Sequence, residues 1–357
     1  MWIPKPGKDE KRPIGVPCVA DRALQRSVAQ VLNAIYEQDF LNCSFGGRPG
    51  IGQHNALATL NEIIRLKRVN WVFEADLKNF FGSLDHGWLL RFVEHRVGDP
   101  RILSLIKKWL KAGVMEGGEL TESEVGTPQG GSISVLLSNL YLHYVLDLWF
   151  EKAIKPRLKG ECYLIRYIDD FIVCFEYKDD AERFINVLEK RLAKFTLILE
   201  PNKTRLIEFG RFAVQNAKAE GRKPDTLYFL GFTHYCTKSR RGKFQVGRRT
   251  EKSRLKRSMS KLQDKMREIR HCKVGEQVDK INQILRGHYN YYGMGGNYQS
   301  MSKIHYLTKK FLKKMLSSRS WKGKVTWELF NRIMVKYPIL RPFIKIPFSK
   351  FNEYVML

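Results

Sequence analysis

Residues 167–170 read Tyr-Ile-Asp-Asp and separate two apolar stretches, Cys-Tyr-Leu-Ile at 162–165 and Phe-Ile-Val-Cys-Phe at 171–175. Apolar runs on both sides of a short polar turn predict a buried β-hairpin with Asp169 and Asp170 at its tip. Neighbouring carboxylates in a partly dehydrated site either raise each other's pKa or bind a cation. An Asp-Asp pair between strands is also common as a plain solvated turn, so the pair alone does not define a site.

A third carboxylate in a similar setting lies upstream. Residues 71–76 read Trp-Val-Phe-Glu-Ala-Asp, an apolar run that predicts a strand ending at Asp76. Mg²⁺ prefers hard oxygen ligands and often shares its coordination shell between carboxylates and substrate phosphates. Asp76, Asp169 and Asp170 are therefore candidate ligands of two Mg²⁺ ions, with Mn²⁺ as a substitute. Such a carboxylate set is what two-metal phosphoryl transfer requires.

The segment between the two acidic positions is rich in glycine. Residues 126–132 read Gly-Thr-Pro-Gln-Gly-Gly-Ser and precede an apolar run at 135–142 that predicts a helix. Glycines allow a backbone to approach another molecule closely. The loop is expected to lie against a base pair, with Gly130 and Gly131 in contact with nucleic acid.

In this order, the motifs resemble those of bacterial group II intron reverse transcriptases, which are intron-encoded polymerases and maturases. Further matching segments are Ile-Pro-Lys-Pro at 3–6, Lys-Arg-Pro-Ile-Gly-Val-Pro at 11–17, Phe-Gly-Gly-Arg-Pro-Gly at 45–50 and Arg-Gly-His-Tyr-Asn-Tyr-Tyr-Gly at 286–293. The resemblance covers nearly the whole chain. It implies an α+β right-hand polymerase fold with fingers and palm, followed by an α-helical thumb.

The expected domains follow from the same resemblance. Residues 1–70 would form N-terminally short fingers, residues 71–235 the palm with part of the fingers, and residues 236–357 a basic helical thumb or maturase-specific domain. Local patterns in the first 235 residues predict a mixture of helices and strands. Helices are predicted near 21–38, 53–66, 87–95, 100–111 and 179–195, and further strands at 204–209 and 226–234.

The resemblance also implies roles in nucleotide binding. Gln129 would lie beside the incoming nucleotide, and Lys5 and Arg12 match positions that hold the triphosphate, a task that suits the planar fork of arginine. Lys203 matches the lysine near the leaving pyrophosphate. A solvated basic loop is the alternative for Lys5 and Arg12, and a surface lysine is the alternative for Lys203.

Two further positions bear on the sugar and the primer. Phe81 matches the bulky residue that stacks under the deoxyribose and excludes a 2′-hydroxyl, which makes it the expected sugar gate. Phe80 is its competitor, because alternation along a strand would point only one of the two inward. Ile168 stands where the family usually has Ala and is expected to contact the primer end. An Ile at this position is known in a group II intron-like lineage associated with DNA repair.

Charge is distributed unevenly along the chain. The formal net charge is +27, yet residues 236–357 alone hold 30 Lys plus Arg against 7 Asp plus Glu, whereas the first 235 residues hold 33 against 29. A nearly neutral body with a strongly basic appendage is typical of a protein that binds a polyanion.

The appendage also has helical periodicity. Apolar residues at three- and four-residue steps predict three amphipathic helices. Their apolar positions are Leu255, Met259, Leu262, Met266 and Ile269; Val278, Ile281, Leu285 and Tyr289; and Ile304, Leu307, Phe311 and Met315. Lys256, Arg257 and Arg286 are candidate nucleic-acid contacts, and Tyr289 and Tyr292 are candidates for base stacking. Packing at the helix end is the alternative for the tyrosines.

Other features exclude several classes of protein. The six cysteines show neither C-x-x-C spacing nor histidines at metal-ligand distance, which disfavours a zinc site. No secretory signal is evident, and no apolar stretch of about 18 residues exists to span a membrane. We expect a cytoplasmic, nucleoid-associated bacterial protein without membrane contact. The sequence does not determine the oligomeric state, and a dimer is one alternative.

The resemblance implies an RNA-directed DNA polymerase that extends a primer 3′-hydroxyl with dNTPs and also binds intron RNA as a maturase. Its partners would be an RNA template, a DNA primer, dNTPs and group II intron RNA. The alternatives are a free-standing reverse transcriptase in DNA repair and a non-catalytic RNA-binding splicing factor, and the intact carboxylates argue against the latter. The chain begins inside the first fingers motif and shows no endonuclease module after Leu357, so we expect no full retrohoming on duplex DNA.

Overall fold

The structure is a computed structural model that describes residues 2–4, 11–13, 15, 17–112, 114–116, 119–121, 126, 131–239, 241–319 and 324–357. The chain divides into two compact units. The first comprises Met1–Asp225 together with Tyr354–Leu357, and the second comprises Thr226–Glu353. The limits given above for fingers, palm and thumb remain predictions.

The strands are short, as expected for a mixed fold. In chain order they are β1 (Trp2–Pro4), β2 (Lys11–Pro13), β3 (Trp71–Asp76), β4 (Val114–Glu116), β5 (Glu119–Thr121), β6 (Cys162–Tyr167), β7 (Asp170–Phe175), β8 (Arg205–Glu208), β9 (Thr226–Phe229), β10 (Phe232–Lys238) and β11 (Phe244–Thr250).

The α-helices, in chain order, are α1 (Val19–Tyr36), α2 (Gln53–Leu66), α3 (Phe80–Ser83), α4 (His86–Glu94), α5 (Pro100–Lys111), α6 (Ser134–Leu142), α7 (Lys178–Lys194), α8 (Ala213–Ala219), α9 (Lys252–Glu268), α10 (Val274–Tyr292), α11 (Tyr298–Ser317) and α12 (Trp327–Lys336). Shorter 3₁₀ turns span Lys155–Arg157, Pro201–Lys203 and Phe348–Tyr354, and π-helical turns span His143–Asp147 and Phe150–Ile154. Within the described residues, no helix is both long and apolar enough to cross a bilayer.

The central element of the first unit is a four-stranded antiparallel sheet in the order β6-β7-β3-β8. The two apolar stretches around residues 167–170 pair with each other as β6 and β7, which confirms the predicted hairpin. Helix α7 packs on the sheet through Phe184, whose ring lies 6.0 Å from Phe73 and 5.4 Å from Phe175. Consecutive residues of β3 and β7 are buried, so both faces of these two strands are covered, and most of their residues are apolar.

A helical run behind this hairpin changes its pitch. The α-helix α6 continues directly into the π-helical turn His143–Asp147. Asp147 follows Asn139 by eight residues, which in an ideal α-helix would place it roughly 80° around the axis from Asn139. A π-helical turn takes more residues, so the run brings Asp147 back toward the side of Asn139. Both side chains contact Arg166 of β6.

The second unit begins with a three-stranded antiparallel sheet in the order β11-β10-β9. Residues 226–234 were predicted as one strand, but they form two strands that pair Phe229 with Phe232. The chain reverses at Leu230 and Gly231, which have φ values of 47° and 81°. Positive φ at both central residues is the pattern of a type I′ hairpin. Leu is rare at such a position, so composition did not indicate the turn.

The three helices predicted for the basic region are confirmed as α9, α10 and α11. The buried residues include three of the five predicted apolar positions in α9 (Met259, Leu262 and Met266), all four in α10 (Val278, Ile281, Leu285 and Tyr289) and two of the four in α11 (Ile304 and Met315). Helix α10 ends at Tyr292, and the following segment is held by Asn297, whose Oδ1 accepts from the Thr250 amide at 2.7 Å and whose Nδ2 donates to the Tyr292 carbonyl.

Candidate active site at the end of strands β3 and β7

The structure brings the three predicted carboxylates to one end of the central sheet. Strand β3 ends at Asp76, strand β7 begins at Asp170, and these two residues are directly opposite each other in the antiparallel register. Directly opposed residues in such a pair have Cβ atoms about 4.5–5.5 Å apart. Asp169 precedes Asp170 in the turn. Residues 94 positions apart in sequence therefore form one acidic cluster, which we call the carboxylate cluster.

The electrostatics of the carboxylate cluster are unfavourable for three anions. Burial, followed by the charges of Asp76 and Asp169, raises the pKa of Asp170 well above its usual range, and Glu74 adds to this. Lys203 acts in the opposite direction. The cluster is therefore a site where additional positive charge would be stabilised.

Lys203 supplies part of that charge. The turn that carries it is fixed to β3, because the Glu200 amide donates to the Asp76 carbonyl at 2.8 Å. Its ammonium group forms an ion pair with Asp76 Oδ2. Burial acts to lower the pKa of Lys203, but the contact with Asp76 and the charges of Asp170 and Asp169 outweigh it and raise the pKa. The residue predicted near the leaving pyrophosphate thus lies beside the carboxylates.

The donor set of the carboxylate cluster suits a hard cation, because all its ligand atoms are carboxylate oxygens. Over the described part of the chain, no group of three or more His, Cys, Asp or Glu side chains is arranged to hold a metal ion as it stands. The ammonium of Lys203 occupies one oxygen of Asp76. Mg²⁺ is commonly bound by one or two carboxylates together with substrate phosphates, so a complete protein cage is not required.

The structure separates the two candidates for the sugar gate. After Asp76 the chain turns at Asn79, which has a φ of 47°, into the short helix α3. Phe80 is 2% exposed and belongs to the core, whereas Phe81 is half-buried. The expectation that Phe80 and Phe81 alternate along a strand was wrong, because both residues lie in helix α3. Only Phe81 nevertheless retains an exposed part that a sugar could contact.

The described ends of the glycine-rich loop are anchored to the first unit. The Gly126 amide donates to the Leu84 carbonyl at 2.8 Å, and His86 Nε2 lies 2.6 Å from the Gly126 carbonyl oxygen. At the other end, the Ser132 amide donates to Gln25 Oε1 at 3.1 Å. A Cβ atom at Gly126 would lie 2.8 Å from the carbonyl oxygen of Phe81, so glycine is required for this approach.

Several predicted contacts near this loop and in the N-terminal segment are only partly described. Gln129 and Gly130 lie outside the described residues, as does Lys5. Gly131 is described and half-buried. Arg12 lies in β2, opposite Ile3 in the antiparallel pair. Their predicted roles stay predictions.

The turn that carries the acids has an unusual backbone. Tyr167 and Asp170 pair, so Ile168 and Asp169 are the two central residues, and Ile168 has a φ of 61°. Positive φ at the first central residue alone is the pattern of a type II′ hairpin, where glycine is usual. A β-branched residue in this conformation costs roughly 1–3 kcal/mol, which the surrounding structure must offset.

Sequence reasoning missed the residues behind this turn. Arg166 and Asp147 are both fully buried and form an ion pair at 2.6 Å, and Asn139 and Ser44 bond to the same guanidinium. A usable signal was present. Arg166 interrupts the apolar run of β6, and Asp147 and Asn139 interrupt an equally apolar helical run. Charged residues are almost never fully buried unless they are paired.

In the second unit, the predicted nucleic-acid contacts differ in accessibility. Lys256 and Arg286 are exposed and Arg257 is half-buried. Tyr289 is fully buried and Tyr292 is 8% exposed, which favours the packing alternative for both over base stacking. Their rings fill the end of the helical core, and burial also raises the pKa of each.

Exposed aromatic rings occur instead on helix α11. Tyr298 is 53% exposed and Tyr306 is 58% exposed. Tyr306 lies between the exposed lysines 303 and 310, at helical spacings of three and four residues, so the three side chains share one face. A tyrosine between lysines is a better candidate for base stacking than the buried pair.

These features define a class of protein. Residues 3–234 match the family model described as reverse transcriptase (RNA-dependent DNA polymerase), and the chain belongs to this family. The apo telomerase of Candida tropicalis superposes with a TM-score of 0.50 at 13% sequence identity, covering 94% of this chain and 55% of that one. The α+β right-hand polymerase fold is thereby confirmed.

Within the reverse transcriptases, the matches include a group II intron-encoded protein and an intron maturase. The chain is 31% identical over 223 residues to the group II intron-encoded protein LtrA of Lactococcus lactis, which covers 60% of this chain and 37% of the relative. It is 26% identical over 199 residues to the mitochondrial nuclear intron maturase 3 of Arabidopsis thaliana, covering 48% and 27%. The predicted resemblance to group II intron reverse transcriptases and maturases is confirmed. The matched region spans well under half of each relative.

Proposed function

We propose that this protein is an RNA-directed DNA polymerase of the group II intron type, which extends a primer 3′-hydroxyl with dNTPs. The observation that carries the proposal is the register of β3 and β7, which sets Asp76 opposite Asp170 beside Asp169. In a member of the reverse transcriptase family, a carboxylate cluster with this internal repulsion supports phosphoryl transfer rather than a purely structural turn.

Asp76, Asp169 and Asp170 would hold two Mg²⁺ ions, for which Mn²⁺ could substitute. When bound, such ions activate a hydroxyl nucleophile and neutralise a departing pyrophosphate. The chain's own contribution is to place the three carboxylates at one sheet end and to partly dehydrate Asp170, whose repulsion from its neighbours favours cation uptake. The ammonium group of Lys203 would then break its ion pair with Asp76 Oδ2 and contact the anionic leaving group.

The remaining nucleotide contacts follow from the positions of neighbouring elements. Phe81 is the proposed sugar gate, because it is half-buried, whereas the adjacent ring of Phe80 just beyond Asp76 is fully buried. The loop anchored at Gly126 and Ser132 would present Gln129 to the incoming nucleotide. Lys5 and Arg12 would bind the triphosphate.

The proposed partners are an RNA template, a DNA primer and, for maturase activity, group II intron RNA. The support is the concentration of basic residues after residue 235 and the exposure of Lys256 and Arg286. Tyr306 between its two lysines adds a stacking surface. Location at the bacterial nucleoid belongs to the same proposal. Binding should weaken steeply with salt, since each neutralised phosphate releases counterions.

The test is extension of an annealed DNA primer on RNA and DNA templates with Mg²⁺. Wild-type protein should add nucleotides, and Asp169→Asn should add none while binding the primer-template with unchanged affinity. Asp179→Asn is the matched control, because Asp179 is an exposed acid in the first turn of α7, and it should extend normally. Extension by Asp169→Asn at the wild-type rate would refute the assignment of the carboxylate cluster.

A further inference from the structure

The turn at Ile168 needs support from outside itself. Its left-handed residue is β-branched, and a two-residue hairpin alone does not stabilise such a backbone. Ile168 is half-buried, so its side chain packs against the core of the first unit. The carboxyl groups of the next two residues depend on this turn for their direction. The neighbours that hold Ile168 therefore bear on the carboxylate cluster.

Arg166 is the neighbour with the most bonds to this region. Its Nε donates to Asp147 Oδ1 at 2.8 Å, and its Nη2 donates to Asp147 Oδ2 at 2.6 Å and to Ser44 Oγ at 2.8 Å. Its Nη1 donates to Asn139 Oδ1 at 3.0 Å and to the Ile168 carbonyl oxygen at 3.1 Å. A guanidinium has five N–H donors, so every donor is matched.

A second contact to the turn comes from Gly46. The backbone of Gly46 approaches Ile168 so closely that a Cβ atom would lie 2.6 Å from Ile168 Cγ1 and 2.7 Å from its amide nitrogen. Asn139 Nδ2 donates to the Gly46 carbonyl at 2.6 Å, and the Phe45 amide donates to the Arg166 carbonyl at 2.9 Å. Asn139 therefore bonds to both Gly46 and Arg166, the two neighbours that contact Ile168.

We propose that Arg166, held by Asp147 and Asn139, is a positioning residue that keeps Ile168 in its left-handed conformation and so aims Asp169 and Asp170 at Asp76. The inference rests on the proposed function for its catalytic consequence, but the positioning itself is a property of the fold. Arg166 is fully buried and touches no reacting atom.

Arginine is required here for its shape as well as its charge. The planar fork binds both oxygens of Asp147 and still has two donors on Nη1 for Asn139 and Ile168. Lysine has three donors on one atom and cannot reach acceptors on three sides of a buried site. Arg166→Lys therefore keeps the charge opposite Asp147 and removes the hold on the turn.

The chain offers a matched control in Arg48. Its side chain is 6% exposed, it pairs with Glu37 at 2.9 Å, and it donates to the carbonyl oxygens of Leu41 and Ser44, so it is also a buried, forked arginine. It makes no bond to Arg166 or to residues 168–169, and its link to them runs only through Ser44. Arg48→Lys should therefore destabilise the fold while affecting the turn at Ile168 much less than Arg166→Lys does.

The experiment is amide hydrogen exchange of residues 162–175 in full-length Arg166→Lys and Arg48→Lys, together with primer extension and primer-template affinity. In Arg166→Lys, exchange at residues 168–170 should be about tenfold faster than in Arg48→Lys, and extension should fall by a similar factor at unchanged primer-template affinity. Equal exchange rates at residues 168–170 in the two variants would overturn the inference. Exchange is read without catalysis, so absence of polymerase activity in the wild type would not affect it.

Two further variants test the inference if Arg166→Lys does not fold. Asn139→Ala keeps the ion pair of Arg166 with Asp147 and should still accelerate exchange at the turn, whereas wild-type exchange there would contradict the inference. In an Ile168→Gly background, the left-handed position needs no support, so the additional effect of Asn139→Ala on the turn should largely vanish. An undiminished effect in that background would also contradict it.

Discussion

Two ion pairs lie on opposite sides of the Asp169–Asp170 turn, and they differ in almost every physical respect. Arg166 and Asp147, behind the turn, are 0% exposed, and their guanidinium has all five donors matched. Lys203 and Asp76, at the carboxylate cluster, have side chains that are 61% and 16% exposed. The buried pair is fixed by shape, whereas the exposed pair can be exchanged for another cation or anion.

The difference shows how one turn can be both rigid and reactive. Removing one member of a buried pair leaves an uncompensated charge, at a cost of about 3–5 kcal/mol. An exposed pair contributes about 0–1 kcal/mol, so exchanging its partner is cheap. Stability should therefore depend on the buried pair, and chemistry on the exposed one.

The largest expected effect is on chemistry. Asp76→Asn should reduce nucleotide addition to background while changing the free energy of unfolding by no more than about 1 kcal/mol, because its ion pair is exposed. Removing this charge also relieves the repulsion on Asp170. Primer extension and urea unfolding of the same preparation measure the two quantities. Near-normal extension would remove Asp76 from the catalytic set.

The converse effect is on stability. Asp147→Leu should lower the free energy of unfolding by about 3–5 kcal/mol, because it leaves Arg166 buried and unpaired. Chemical denaturation measures this loss. The double variant Asp147→Leu/Arg166→Met should recover most of the stability, since apolar replacement of a buried pair is often neutral. It should not recover extension, because the bond to the Ile168 carbonyl is still missing. A loss below about 1 kcal/mol in the single variant would contradict the contrast.

A smaller effect is expected for the dependence of stability on pH. His143 is 2% exposed, and burial lowers its pKa below the usual 6.5 although Asp147 acts to raise it. His143 therefore binds a proton more readily in the unfolded chain than in the folded chain. Stability should fall as pH drops below about 6.5, with a slope of up to about 1.4 kcal/mol per pH unit until the folded pKa is reached.

Urea unfolding from about pH 8 to about pH 5 measures this slope in the wild type and in His143→Phe. The variant should lose part of the pH dependence. His271→Phe is the control, because His271 is exposed, and it should keep the full slope. Identical slopes in the wild type and His143→Phe would show that His143 does not contribute.

The smallest effect is expected for the cation of the exposed pair. Lys203→Met should change the free energy of unfolding by less than about 1 kcal/mol, and the difference from the wild type should shrink further in high salt, which screens exposed charges. Denaturation at low and high ionic strength measures it. A loss of more than about 2 kcal/mol that persists in salt would mean that Lys203 is not exchangeable.

The parts of the molecule that could be predicted depend on local patterns. The strand ending at Asp76 and the hairpin at Asp169 and Asp170 follow from apolar runs that stop at polar residues, and both are confirmed. The three helices after residue 250 follow from three- and four-residue steps. Each of these signals lies within about 20 residues of sequence.

The parts that could not be predicted depend on distant contacts or on backbone conformation. The acceptors of Arg166 in Asp147, Asn139 and Ser44 are 19, 27 and 122 residues away, so no local pattern identifies them. The helical turn at Phe81 and the reversal at Leu230 begin with left-handed residues other than glycine. Such residues are stabilised by tertiary surroundings, and their own side chains do not reveal them.

The last residues of the chain belong to the first unit, although the second unit precedes them in sequence. The Tyr354 carbonyl accepts from Asn55 Nδ2 at 3.1 Å, and the Met356 amide donates to Thr59 Oγ1 at 3.0 Å. The ribosome synthesises these residues after residues 226–353. The first unit therefore cannot form its final hydrogen bonds until the second unit has left the exit tunnel. Of the two units, only the second is one continuous segment of the chain, whereas the first is completed by residues that are synthesised after the second.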